Sequence, residues 1–301
     1  MLARDEGRAA DPGDALAGPV AVESRIGGAS TVAIPCIAAL VFRDRARAAL
    51  RVAFPRRRAR LLFARSGEEL GTILRSTLAD GVLVDLGSGG DDVNRALAFA
   101  REFPSLPFVG IAPLRGADGP ALAGAAEHEF ADVFTEGVDD AVLRSLITPV
   151  LFSARFACAL REPPPALGLD APLQRLAWRN VISHGGRPVQ TGQLAATLGV
   201  TREHLSRSFA SAGAPNLKRV IDLVRLLAAA ELSKNPGYDV RDVARVLGFA
   251  SASHLSSTSQ RIVGTKPASL ARLRAIDIVD RFSQGRGRSR GASDQGSRAP
   301  R

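Results

Sequence analysis

Cysteine is nearly absent: Cys36 and Cys158 are the only two in 301 residues. Two are too few for a disulfide framework, and a reducing cytoplasm fits such usage. Each lies in an apolar run without a neighbouring histidine or charge cluster to lower a thiol pKa, so both are expected as buried structural residues. The four histidines form no cluster at metal-ligand spacing, and no metal or other cofactor is expected. The first thirty residues lack the continuous apolar core of a secretory signal. The first strongly apolar run, Thr31–Phe42, contains Pro35 and falls short of the roughly 20 residues that a spanning helix needs, so no membrane anchor is expected.

Positive charge is plentiful, but only in one part of the chain. Residues 1–30 hold 3 basic and 5 acidic side chains, residues 31–162 hold 16 of each, and residues 163–301 hold 21 basic and 9 acidic. The last block therefore carries the whole net excess. A basic block joined to a neutral one suggests that the former meets a polyanion, since neutralising phosphates releases condensed counterions. The alternative is a charged, merely solvated surface. Apolar residues make up 46% of the chain, enough for two packed cores.

Between Thr31 and about Ala154, short apolar runs alternate with amphipathic segments. Val32–Val41, Leu61–Ala64, Gly81–Leu86, Pro107–Ala112 and Ala131–Thr135 are candidate strands. Residues 44–53, 67–78, 92–103, 120–128 and 139–152 have helical spacing between them. Five such repeats predict a parallel sheet with helices on both faces. Residues 161–172 include Pro163, Pro164 and Pro165, which favour extended backbone and are taken as a linker. After the linker six or seven helices are expected over 173–282, with turns at Gly185–Gly186, Gly199, Gly213, Pro236–Gly237, Gly248 and Gly264. Residues 1–30 and the Gly/Ser/Arg-rich tail 283–301 are expected to be disordered.

Two similar units stand about fifty residues apart in the helical part. In the first, Thr191 is a candidate cap for a short helix bearing Leu194 and Ala195, Gly199 supplies the turn, and Thr201 can cap a helix whose Leu205 and Phe209 share a face. In the second, Asp239 precedes Val243 and Ala244, Gly248 and Phe249 make the turn, and Ser251 can cap a helix carrying Leu255. This is how a helix-turn-helix is built, its second helix free to enter a major groove. Between the units, Pro215–Leu232 is expected as one helix with Leu217, Val220, Ile221, Val224 and Leu227 on one stripe.

The stretch Gln193–Phe209, the run Arg225–Ala229, and Gly248-Phe-Ala-Ser251 followed by Gly264-Thr-Lys-Pro267 together resemble the AraC/XylS family of transcription regulators. The resemblance covers about 173–274. It implies that Arg202, Glu203, Ser206 and Arg207 face bases or phosphates from the first recognition helix, and that Ser253, His254, Ser256 and Ser257, with Ala252, hold the matching places on the second. Arginines could pair bidentately with guanine, and Glu203 could accept from cytosine. Two places depart from the pattern: Ser257 stands where arginine is common, and Ser259 replaces a core phenylalanine. Weaker packing and little base discrimination are expected of that half. Double-stranded DNA is the expected partner, with RNA polymerase and a second copy of the chain, through its N-terminal domain, as further candidates.

The N-terminal repeats resemble a response-regulator receiver, a flavodoxin-like α/β fold, with Asp85 at the place of the phosphate-accepting aspartate. The acidic pair that would hold a metal after the first strand is missing, and so is the lysine after the fifth; no lysine precedes Lys218. Without such support an acyl phosphate is poorly stabilised, and a degenerate, non-phosphorylated receiver is expected. The eight arginines of residues 43–60 are expected as a solvated helix face, with a nucleic-acid or partner surface as the minor alternative. Two rival functions are a DNA-alkyl transferase using a reactive cysteine and a nonspecific nucleoid protein.

Overall fold

The computed structural model describes residues 33–210 and 214–294. Its first half alternates β1 (Cys36–Leu40), α1 (Asp44–Ala53), β2 (Arg60–Phe63), α2 (Gly67–Ser76), β3 (Gly81–Asp85), α3 (Asp91–Glu102), β4 (Phe108–Ala112), α4 (Gly119–Glu127) and β5 (Asp132–Thr135). The helices α5 (Leu143–Val150) and α6 (Phe152–Ala159) follow. All strand pairs are parallel and the order is β2-β1-β3-β4-β5, the flavodoxin-like arrangement. In such a sheet both faces must be covered, and β1 shows why its run is apolar throughout. Ile37 and Ala39 point to the side of α1 and α5, against Leu50 and Ile147, while Ala38 and Leu40 point toward α2 and α3.

One expected helix is two. Residues 139–152 break after Val150, where Leu151 turns extended (φ −56°, ψ 145°) just past Pro149, which has no N–H to continue the ladder.

The helical half comprises α7 (Pro172–Ser183), α8 (Thr191–Thr197), α9 (Arg202–Ala210), α10 (Leu217–Leu232), α11 (Val240–Val246), α12 (Ala252–Val263) and α13 (Ala275–Asp294). The helix α10 is apolar nearly all round, its Leu223, Leu226 and Ala228–Ala230 being buried along with the expected stripe, so it forms the centre about which the others pack. It is shorter than expected because Pro215 and Asn216 lie outside it. The Asn216 side chain accepts from Arg219 N at 2.9 Å and caps it.

The segment 161–172 is not a loose linker. Pro165–Leu167 form a single 3-10 turn, and Leu167 and Leu169 are buried, anchoring the segment against the helices. Residues 283–294, expected within a disordered tail, continue α13. Burial of Ile278, Val279 and Phe282 nucleates the helix, and propagation from a formed turn costs far less than starting one. The expectations for residues 1–30, for Gly213 and for 295–301 lie outside the described residues.

Two separate cores were expected; instead, the apolar cluster on the α2–α3 face of the sheet runs without interruption through Phe152, Phe156 and Trp178 into the helix-turn-helix region. Polar contacts accompany it. Arg187 Nη2 lies 2.6 Å from Oδ2 of the fully buried Asp80. The Tyr238 hydroxyl donates to Leu74 O at 3.0 Å, and Ser105 N donates to Asn235 Oδ1 at 2.7 Å. Phe103 packs edge-on to Tyr238 with centroids 4.8 Å apart. A side chain at Gly237 would meet the Phe103 ring at 2.5 Å, so glycine lets the two halves close.

Candidate nucleic-acid interface

Both helix-turn-helix units are built from the same local parts. The turn glycines adopt left-handed backbone, Gly199 at φ 67° and Gly248 at φ 64°, a conformation costly for any residue with a Cβ. After each turn a side chain caps the next helix: Thr201 Oγ1 accepts from His204 N at 3.1 Å, and Ser251 Oγ accepts from His254 N at 3.0 Å. Asp239 caps α11 reciprocally with Asp242. Thr191 is not a cap; it is the first residue of α8, behind Gln190, whose side chain makes no capping bond.

On α9, Leu205 and Phe209 are fully buried, which turns the opposite face outward. Arg202, Glu203, Ser206 and Arg207 are all exposed there, and among the described residues neither arginine has an ion-pair partner. The four expected contact residues are thus brought together on one free face. His204, exposed between them, was not singled out by sequence.

The second face is more occupied. On α12, Ser253, His254 and Ser257 are exposed, whereas Ala252 and Ser256 are half-buried. His254 is turned back on its own turn: its Nδ1 accepts from Ala250 N at 3.3 Å and its ring packs edge-on to Phe249 at 5.6 Å. The Ser257 hydroxyl donates to His254 O at 3.1 Å. Ser259 is completely buried and donates to Thr265 O at 2.7 Å, tying α12 to the loop after it where a phenylalanine would have filled space.

The Arg225 side chain holds this unit to α10. Its guanidinium lies 3.8 Å from the centre of the Phe249 ring and donates to Leu247 O at 3.1 Å. Burial lowers its pKa, although Asp222 opposes the shift. Beside it, Asp222 pairs with Arg261 of α12 at 3.0 Å. Sequence reasoning missed Arg261, for which only its place one turn from the helix end is a signal.

At the other end of the molecule, Asp85 sits at the carboxyl end of β3 and is wholly buried. Its carboxylate is crowded with donors: Arg43 Nε at 2.8 Å on Oδ1, and Arg43 N at 3.1 Å, Phe42 N at 3.3 Å and Ser88 Oγ at 2.8 Å on Oδ2, while Arg43 Nη2 stands in ion-pair contact with Oδ1 at 2.6 Å. Arg43 also pairs with Glu136, whose side chain is buried, and Arg45 reaches the same carboxylate at 3.3 Å. Burial pulls the Arg43 pKa down, but the hydrogen bonds and charges of Asp85 and Glu136 outweigh it and leave it raised. Charge is therefore reversed relative to a phosphate-accepting site: a cation follows β1 and an anion follows β5. Arg43 lies just past the end of β1 and Glu136 just past the end of β5, and only the strand order makes them neighbours of Asp85.

Cys36 is buried as expected, and burial raises its thiol pKa. Cys158 is exposed, contrary to expectation, because it falls on the outer side of α6 opposite Phe152 and Phe156. No described helix is long and apolar enough to cross a membrane.

Among solved structures, the chain resembles a response regulator from Thermotoga maritima, at 17% identity over 38% of this chain and 96% of that one, with a TM-score of 0.34. It also resembles full-length FixJ from B. japonicum, at 12% identity over 80% and 98%, again with a TM-score of 0.34. Likenesses this distant say nothing of function. No curated protein matches the chain. Residues 194–272, from within α8 to the loop before α13, match the family model described as a helix-turn-helix domain. Behind a flavodoxin-like α/β domain, the chain therefore carries a DNA-binding helix-turn-helix domain of the AraC type.

Proposed function

We propose that this protein is a sequence-specific transcription regulator whose α9 and α12 enter adjacent major grooves of double-stranded DNA, while its receiver-like domain works without phosphorylation of Asp85. The observation that carries the proposal is the repetition of one capped unit on either side of a stiff, buried rod. At 1.5 Å per residue, the 16 residues of α10 span about 24 Å, and helix widths at its ends bring the recognition helices near the roughly 34 Å groove repeat. Arg202, Glu203, Ser206 and Arg207 read bases or phosphates in the first groove. Ser253, His254, Ser256 and Ser257 make mostly positioning contacts in the second, since His254 and Ser257 are engaged within their own turn.

The domain limits that go with this proposal are 31–160 and 173–282. RNA polymerase and a second copy of the chain, met through the receiver-like domain, are its protein partners.

Competition binding tests the proposal against a nonspecific nucleoid role. A regulator prefers its site over random duplex by a factor of about 10³ or more. Arg207→Ala is expected to cost on the order of 1–3 kcal/mol of site-specific binding and Ser257→Ala little. Equal losses, or no preference over random DNA, would overturn it.

A further inference from the structure

The arginine-rich run of the N-terminal half takes no part in the DNA-binding units. Residues 45–67 hold eight arginines and no acid. Most are exposed to solvent, and two of them line one cavity together with a third from elsewhere. A turn closed by Arg58 N on Pro55 O at 2.7 Å follows α1 and brings Arg57 and Arg58 to the mouth of a cavity of about 610 Å³. Arg144 of α5 lines the same cavity.

Its composition is that of a ligand site. The apolar wall is made by Ile34, Phe54 and Leu151, with Ala154 and Ala157 of α6. Ile34 is 50% exposed, an aliphatic surface left open beside the cations. Thr148, Ser153 and Ser183 also line it, the Thr148 and Ser183 hydroxyls already donating to Arg144 O and Asn180 O at 2.7 Å each. No carboxylate lines the cavity, and among the described residues none of the three arginines has an ion-pair partner. Asp80, whose Oδ1 accepts from Ser153 N, is already engaged by Arg187. Three arginines lining one apolar recess without a carboxylate are poorly placed on a merely solvated surface, because like charges repel and the recess stays wet. A ligand that is apolar at one end and multiply anionic at the other removes both penalties, and a guanidinium binds phosphate oxygens bidentately. The volume falls within the roughly 300–1,000 Å³ usual for small-molecule sites.

We infer that this cavity binds a small phosphorylated molecule bearing an apolar group, with Arg57, Arg58 and Arg144 on the phosphate and Phe54 and Leu151 against the apolar group. The site lies at the ends of β1 and β3 opposite Asp85, and Ser183 brings the end of α7 into it, so that the ligand touches both the sheet half and the helical half. The inference stands independently of the DNA-binding proposal.

Isothermal titration of the full chain with phenyl phosphate tests it, with inorganic phosphate and phenol as controls. Saturable binding of phenyl phosphate is expected, about tenfold or more weaker for phosphate alone and absent for phenol. Arg144→Ala and the pair Arg57→Ala/Arg58→Ala should each weaken it about tenfold or more while leaving the unfolding curve unchanged, since these side chains are exposed. Two results overturn the inference: no saturable binding of phenyl phosphate, or binding that the variants leave unaltered. If phenyl phosphate fails and the variants instead lower the salt dependence of random-duplex binding, the arginines belong to a DNA-backbone surface and the small-ligand site is refuted.

Discussion

At the scale of single residues, the clearest consequence concerns Asp85. A carboxylate that accepts four hydrogen bonds and is paired with a guanidinium has its nucleophilic lone pairs engaged, and the cation beside it is covalently part of the chain. Arg43 thus gives the buried acids their counter-charge without offering a coordination site to a phosphoryl group. Incubation with a small phosphodonor and Mg²⁺ is therefore expected to leave the intact mass unchanged; a gain that disappears in Asp85→Asn would contradict this. Removing the cation leaves the buried Asp85 without counter-charge and Glu136 with only the exposed Arg45, so Arg43→Ala should lose roughly 3–5 kcal/mol in urea unfolding. An unchanged midpoint would mean that water already screens the pair.

At the scale of elements, the chain is most legible where structure is local. The turns at Gly199 and Gly248 and the caps Thr201, Asp239 and Ser251 follow from two or three adjacent residues, and they stand where the pattern puts them. Thr191 misled for the same reason: a threonine before an apolar stretch satisfies the cap pattern, yet the helix begins on it. The difference can be measured. Ser251→Ala should cost about 1 kcal/mol, the usual worth of a cap, whereas Thr191→Ala should stay within about 0.5 kcal/mol. Thermal unfolding of the two variants side by side checks the assignment, and equal losses would refute it. Elements whose limits depend on distant partners were harder to foresee. The segment 161–172 looks like a linker because of its prolines, and only the burial of Leu167 and Leu169 by helices far along the chain shows that it is packed.

At the scale of the whole molecule, what the sequence hides is how the halves meet. Asp80 with Arg187, Leu74 with Tyr238 and Ser105 with Asn235 are separated by more than a hundred residues, and periodicity carries no information about such pairs. Tyr238 makes the junction measurable, because it is the only tyrosine in the chain and its hydroxyl sits buried between α2 and α11. Burial, with the nearby Asp242 charge, raises its pKa well above the ordinary value of 10.0, against a smaller opposing effect of Arg75. The unfolded chain releases this proton near pH 10 while the folded chain holds it, so the stabilisation is complete below about pH 10 and declines as pH rises further. Tyrosinate absorbance should therefore stay silent through pH 10 in the native protein and appear together with loss of circular dichroism. Tyr238→Phe should lose about 1 kcal/mol at neutral pH, because Leu74 O loses its donor, but should flatten the alkaline decline. Tyrosinate appearing near pH 10 with the fold intact would mean that the junction opens readily and that the two halves move as separate bodies.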